Sequence, residues 1–176
     1  MSLLGHYLQS MKIPKRKVFI SYHHKNDQDW FEYFSGKFGE NNEIFYDKSL
    51  DNRIRSDDPE YVNRRIREDF IVGSSITIVL CGTETWKRKY VDWEIYSTLH
   101  HEHALLGIAL PRHFKRDGLI IVPDRLHDNI SSGYAHWVLW QEDPPTFTRE
   151  MEAAISKSQN KSLINNERPK MERNLP

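Results

Sequence analysis

The sequence lacks several features that would assign it to a familiar class of protein. Its 176 residues include one cysteine, Cys81, so an internal disulfide and a Cys-rich zinc site are both excluded. Lys plus Arg and Asp plus Glu both number 25, so no net charge draws the chain to nucleic acid or anionic lipid. The phosphate-binding patterns GxGxxG and GxxxxGK[ST] do not occur. These absences predict a chain without a metal, nucleic-acid or membrane partner.

Long apolar runs are also missing. No run approaches the roughly 18 residues of a membrane span, and the first 17 residues lack the apolar block of a signal peptide. The residues are nevertheless 38% hydrophobic and 12% aromatic, which suffices for a packed core. We therefore expect one globular domain in the cytoplasm.

Polar segments flank this domain. Residues 1–16 are mixed and lead into a basic run, and residues 159–176 are polar without an apolar period. We expect an N-terminal tail at 1–16, a domain at 17–158 and a polar C-terminal tail at 159–176.

Inside the domain, short apolar runs alternate with amphipathic segments. Strands are predicted at residues 18–22, 44–46, 75–81, 105–110 and 134–140, and helices at residues 26–38, 57–73, 83–101 and 146–156. The alternation predicts an α/β domain with a five-stranded parallel sheet and helices on both faces.

Parallel α/β sheets bind ligands beyond the carboxyl ends of their strands. The residues predicted to leave the strands at that edge, or to follow in the next loop, are Tyr22, His23, His24, Asp47, Cys81, Gly82, Thr83 and Trp86. A polar small molecule at this edge is the expected ligand.

Glu94 lies close to this edge, in the predicted helix at residues 83–101. Val91, Ile95 and Leu99 recur at a spacing of four, which places Glu94 on the flank of their buried stripe. A half-shielded carboxylate there can hold ribose hydroxyls or stabilise an oxocarbenium-like centre. Periodicity alone leaves the alternative open that Glu94 is a solvated carboxylate paired with a basic residue one turn away.

Three segments carry a family resemblance. VFISY, TETWKRKYVDWEI and VPDRLHDNISSGYAHWVLW resemble the TIR-like domain of the Thoeris anti-phage ThsB family, and the match covers about residues 17–140. Residues 90–95 resemble the TIR helix pattern in which Glu94 is the catalytic glutamate. Arg125, Asp128 and Asn129 fall in the part of the match that is specific to this branch, although we expect a structural role for them.

The resemblance implies a flavodoxin-like (TIR-like) sheet with strand order 2-1-3-4-5. It further implies a protein that senses infection through a phage component and cleaves NAD at the nicotinamide-ribosyl bond. The product would be a cyclic or modified ADP-ribose that activates a partner effector, so NAD is a substrate and no separate cofactor is needed. The residues proposed to bind it are Ser21, Tyr22, His23, Asp47, Gly82, Thr83, Trp86 and Tyr90.

Other interpretations remain open. Residues 49–58 are charged and lack the Gly-rich loop of many TIR domains, so the handling of adenine and any homo-oligomer formation are not predicted. The fold also serves non-catalytic interaction modules, which is the competing hypothesis. His100, His101 and His103 suggest a metal, but a solvated helix end is the preferred interpretation. The arginines at 53, 55, 64, 65 and 67 are expected on a solvated face.

Overall fold

Five parallel strands form one sheet in the computed structural model, which describes residues 15–41, 45–47, 69–111 and 121–176. The strands are β1 (Arg16–Ser21), β2 (Phe45–Asp47), β3 (Ile76–Cys81), β4 (Ala104–Ala109) and β5 (His136–Leu139). They lie side by side in the order β2-β1-β3-β4-β5, and every pairing is parallel. The prediction of an α/β domain with a parallel sheet is confirmed.

Helices connect the strands. They are α1 (Gln28–Phe34), which continues into a π-helical segment (Ser35–Asn41), then α2 (Lys89–His100), α3 (Asp124–Ser132) and α4 (Pro144–Lys157). A 3₁₀ turn at Thr85–Lys87 precedes α2. Residues 69–72 are helical, while the rest of the helix predicted at 57–73 and its arginines lie outside the described residues. Among the described helices, none is both long enough and apolar enough to cross a bilayer.

The two faces of the sheet are covered by different helices. Alternate side chains of β1 point to opposite faces, so Val18 and Ile20 pack on α1 and α4, with Phe34 and Phe147 in the same cluster. On the other face, β3 and β4 pack against α2 and α3. All six residues of β3 and all six of β4 are buried, because both faces of these central strands are covered.

The helix α3 was not predicted. Its inner face is polar, since Arg125 and Asn129 are as deeply buried as Leu126. Leu126 and Ile130 are the only apolar side chains among its nine residues, which is too short a stripe for the pattern that found the other helices. It ends at Gly133, whose φ of +89° is the left-handed conformation that glycine adopts readily.

The C-terminal segment also differs from the expected tail. Residues 165–175, which we call the C-terminal strap, are hydrogen-bonded along α2 and α3. The Asn165 amide donates to Asn129 Oδ1 at 2.9 Å, and the Leu175 amide donates to the Lys87 carbonyl at 3.0 Å. The strap docks through polar groups rather than through an apolar stripe, which is why its sequence resembles a solvated tail.

Candidate functional site

Glu94 lies on the inner side of α2, beside the buried residues Val91 and Ile95. Its side chain is only 5% exposed, and Oε2 accepts a 2.6 Å hydrogen bond from Ser21 Oγ. Ser21 is the last residue of β1, so the carboxyl end of that strand holds the carboxylate in place. This burial excludes the alternative of a solvated surface carboxylate.

A cavity of ≈ 500 Å³ lies beside Glu94. Tyr90 and Trp93 form an aromatic wall, with ring centroids 5.6 Å apart and planes at 80°. Ser97 continues the lining one turn along α2, and Lys170 of the C-terminal strap borders the cavity as well. Aromatic walls around a buried carboxylate suit a ligand that combines a flat ring with hydroxyl groups.

His23 occupies the loop directly above β1 and is 6% exposed. Its Nδ1 accepts a hydrogen bond from the Asn26 amide at 3.1 Å, which leaves the proton of a neutral imidazole on Nε2. That Nε2 is buried and has no partner among the described residues. Burial lowers the pKa of His23, and the nearby Arg88 guanidinium lowers it further. The site therefore contains a neutral, unused hydrogen-bond donor.

Asp27 lies next to His23 and is also buried, at 6% exposure. Thr85 Oγ1 donates to Asp27 Oδ2 at 3.2 Å and accepts from the Gly82 amide at 2.8 Å. Burial raises the pKa of Asp27, and the Thr85 hydrogen bond offsets part of that rise. A Cβ on Gly82 would lie 2.3 Å from the Asp27 carboxylate oxygens, so only glycine fits this close approach.

Arg88 precedes α2 and lies between the loop above β3 and the helix. Its Nη2 is 3.7 Å from Glu84 Oε2, while its Nε is buried and has no partner among the described residues. Asn26 donates to the same Glu84 carboxylate at 2.8 Å, so the loops above β1 and β3 are joined. A hydrogen bond from Lys87 lowers the pKa of Glu84.

A buried ion pair holds α2 to α3. Arg125 and Asp92 side chains are 0% and 4% exposed, and Nε of the guanidinium is 2.9 Å from Oδ1 of the carboxylate. The partner of Arg125 thus comes from α2 and not from its own helix. Asp128 instead pairs with Arg168 of the strap at 2.9 Å, and Asn129 donates to the Asn165 carbonyl at 2.7 Å.

The structure brings together only part of the predicted site. Glu94 and Tyr90 line the cavity, and Ser21 is joined to it through its hydrogen bond to Glu94. His23 and Gly82 follow the carboxyl ends of β1 and β3 and do not line the cavity. Four other candidates, Tyr22, Asp47, Thr83 and Trp86, are not brought to the cavity by any contact that the structure describes.

Tyr22 faces the opposite side of the sheet from Ser21, because neighbouring side chains of an extended chain alternate. Its ring stacks on Phe31 at 4.3 Å and its hydroxyl donates to Gln28. Thr83 is exposed, and the Trp86 indole donates to the Thr83 carbonyl at 3.2 Å. Asp47 ends β2, but its side chain lies outside what the structure describes.

The three histidines near the end of α2 are neighbours in space. The ring centroids of His100 and His101 lie 5.3 Å apart, and those of His101 and His103 lie 5.8 Å apart. Within the described ranges, no three His, Cys, Asp or Glu side chains are arranged to hold a metal ion. Burial lowers the pKa of His103.

Sequence reasoning missed Asp27, Thr85 and Asp92 as contributors to this region. Asp27 occupies the N-cap position of α1, yet its side chain makes no capping bond and accepts from Thr85 instead. Asp92 lies in the first turn of α2 beside Trp93 and Glu94, and its partner comes from α3, so no sequence spacing could reveal it. Lys170 was missed because it lies in a segment interpreted as a tail.

Comparisons with known proteins give a matching family and distantly similar solved structures. A family model described as Thoeris protein ThsB, TIR-like domain, matches residues 19–115, which is more than half of the chain. No curated protein matches the chain. The TIR domains in a structure of the activated Roq1 resistosome directly recognizing the pathogen effector XopQ are similar at 12% identity, with a TM-score of 0.43. That match covers 83% of this chain and 85% of the other, and it is too distant to inform function.

Proposed function

The chain belongs to the TIR-like domain family of the Thoeris protein ThsB, and on that premise we propose that it acts in anti-phage defence by cleaving NAD. In the proposed reaction the bond between nicotinamide and its ribose breaks, and nicotinamide leaves with the electron pair. A nucleophile of the same molecule, or an external hydroxyl group or water, then bonds to C1′ of the ribose and loses a proton. The product is a cyclic or otherwise modified ADP-ribose that activates a partner effector. A phage component triggers the reaction, which takes place in the cytoplasm.

The buried Glu94 carboxylate at the cavity is the observation that carries the proposal. Burying a carboxylate is unfavourable, and most glutamates of surface helices remain solvated. Glu94 is 5% exposed, is held by Ser21, and lies in the lining of a cavity large enough for part of a nucleotide. Such a group is expected where chemistry requires a fixed negative charge.

Departure of nicotinamide leaves positive charge on the ribose ring. The Glu94 carboxylate would stabilise that charge most strongly in the transition state, where the charge develops. The hydrogen bond from Ser21 fixes the carboxylate before substrate arrives, so little reorganisation accompanies the reaction. The aromatic wall of Tyr90 and Trp93 would stack on the nicotinamide ring and keep water from it.

The remaining candidates have supporting roles in this proposal. The unused donor at His23 Nε2 would bind an oxygen of the substrate. Gly82, which has no side chain, lets the Asp27 carboxylate approach the backbone above β3, so it would shape this loop for substrate. Asp47, Thr83 and Trp86 stay candidates for contacts to the rest of NAD. Tyr22 would shape the site only indirectly, through the packing of α1 on β1.

The test compares wild-type protein with Glu94→Gln. Each is incubated with NAD, alone and in lysate from phage-challenged cells, and released nicotinamide is quantified. We expect the substitution to lower the rate by about 100-fold or more, because it removes the charge that stabilises the transition state. Equal nicotinamide release by both proteins would contradict the assignment of Glu94.

Glu32→Gln is the matched control, because Glu32 is an exposed glutamate on α1, across the sheet from the cavity. It should release nicotinamide at the wild-type rate. If the wild-type protein is silent even in challenged lysate, the competing hypothesis of a non-catalytic interaction module is supported instead.

A further inference from the structure

The C-terminal strap fixes its backbone on both sides of one exposed lysine. Before Lys170, the Pro169 carbonyl accepts a hydrogen bond from Arg125 Nη2 at 3.0 Å. After it, the Met171 amide donates to Asp92 Oδ2 at 2.8 Å, and the Met171 carbonyl accepts from the Trp93 indole at 2.7 Å. Lys170 is therefore held at a defined place although its side chain is exposed.

The strap is an integral part of the domain rather than a loose end. Arg125 is fully buried, and besides Asp92 it donates to Asn166 Oδ1 and to the carbonyls of Arg168 and Pro169. If the strap detached, these guanidinium N–H groups would lose their acceptors, which is costly for a buried charge. The position of Lys170 is thus fixed by the same ion pair that joins α2 to α3.

Lys170 brings a positive charge to the cavity that contains Glu94. Its ammonium lies 4.8 Å from the centroid of the Tyr96 ring, and the residue is part of the cavity lining. Within the described part of the chain, no carboxylate forms an ion pair with it. By contrast, the Arg88 guanidinium above β3 already has Glu84 nearby. Lys170 is consequently a cation free to bind an anion from solution.

The cavity is lined by groups of both charges. Glu94 of α2 and Asp69, which precedes β3, contribute carboxylates, whereas Lys170 contributes an ammonium group. An anionic group entering the cavity is repelled by the carboxylates and attracted by the lysine. A ligand that carries both hydroxyl groups and negative charge would therefore bind with its hydroxyls at Glu94 and its negative charge at Lys170.

We propose that Lys170 binds a phosphate oxygen of the nucleotide whose ribose lies at Glu94. This inference rests on the proposed function and extends it to the part of the substrate that does not react. Tyr96 and His100 are two and six residues beyond Glu94, or about 3 and 9 Å along the helix axis at 1.5 Å per residue. A phosphate attached to the ribose of a bound nucleotide lies within that span.

The experiment measures binding rather than turnover. Glu94→Gln protein is titrated by calorimetry with NAD and, separately, with nicotinamide riboside, which has the same base and ribose but no phosphate. Adding Lys170→Met should weaken NAD binding about tenfold, because a charge-assisted contact is lost. Binding of the riboside should not change. Lys157→Met, at the exposed end of α4, is the control and should change neither affinity.

Each outcome supports or overturns the inference. Nicotinamide mononucleotide, which carries one phosphate and no adenosine, separates a phosphate contact from an adenosine contact. Weakening of NAD and the mononucleotide without weakening of the riboside supports the inference. NAD binding that is unchanged by Lys170→Met, weakening of NAD alone, or equal weakening of all three ligands overturns the inference and leaves the proposed function intact. If the Glu94→Gln protein binds none of them, the same comparison is made with native Glu94, and absence of NAD binding there overturns both. Thermal unfolding of each variant checks that the substitution at the exposed Lys170 leaves the fold intact.

Discussion

Two regions of buried polar groups lie near Glu94, and they differ in how completely those groups are partnered. In the first, all three guanidinium nitrogens of Arg125 donate hydrogen bonds: Nε and Nη2 to Asp92, and Nη1 and Nη2 to the C-terminal strap. In the second, the loops above β1 and β3 bury His23 with an unpartnered Nε2 and bury Asp27 with a raised pKa.

The difference separates a structural role from a role in binding. Buried polar groups in folded proteins are nearly always hydrogen-bonded, so a complete set of partners indicates that a group serves the fold. A buried donor that lacks a partner is kept at a cost to stability, and such groups concentrate at functional sites. On this criterion Arg125 and Asp92 serve the fold, whereas the buried donor at His23 fits our proposal that the loops around it contact a ligand.

The largest effect is expected when the Arg125 guanidinium is removed, because it is buried and hydrogen-bonded at every nitrogen. Arg125→Met should lower the free energy of unfolding by about 3–5 kcal/mol, because it leaves the Asp92 carboxylate buried and unpaired. Urea denaturation measures the effect. Arg168→Met is the control, since its pairs with Asp124 and Asp128 are exposed, and it should cost at most about 1 kcal/mol.

A double substitution tests whether the lost stability comes from the unpaired charge. Arg125→Met combined with Asp92→Leu removes both charges, so it should recover a large part of the stability lost in Arg125→Met alone. If the single and double variants are equally unstable, the loss comes from packing of the strap and not from an unpaired charge.

The second prediction concerns the close approach in the loops. Gly82→Ala places a Cβ 2.3 Å from the Asp27 carboxylate, so the carboxylate must move away from Thr85. We expect a loss of about 1–3 kcal/mol in the free energy of unfolding, as for other overpacked sites. At Gly36 a Cβ would meet nothing within 4 Å, so Gly36→Ala should not destabilise. Equal effects of the two substitutions would contradict the tight packing at Gly82.

Strands and helices could be predicted from the sequence wherever their buried side chains are apolar and form a continuous or periodic run. The buried β3 and the stripe of Val91, Ile95 and Leu99 on α2 are continuous or periodic, and both were found. The helix α3 and the C-terminal strap were not found, because their inward-facing groups are polar. Their partners come from distant parts of the chain, as when Arg125 meets Asp92.

The candidate site shows the same limit. The helical spacing placed Glu94 beside the core, but only the structure shows that Ser21 binds its carboxylate. Asp27, Thr85 and Gly82 form one cluster from two loops that are more than fifty residues apart, as the 58-residue separation of Asp27 and Thr85 shows. Contacts of this kind depend on which strands are adjacent in the sheet, and residue spacing does not show them.

The smallest expected effect is a pH dependence that arises at His23. Burial lowers its pKa from 6.5, so below pH 6.5 the unfolded chain takes up a proton before the folded chain does. Stability should therefore be complete above pH 6.5 and should fall as the pH drops toward the lower folded pKa. His23→Gln should reduce this loss, measured by urea denaturation across that range, whereas His127→Gln at an exposed position should not.

Asp27, Glu84 and Arg88 surround His23 and are unchanged in both variants, so their own titration cancels in the comparison. An identical pH dependence for wild type and His23→Gln would show that the unpartnered imidazole is not held neutral by burial, and the contrast with Arg125 would lose its physical basis.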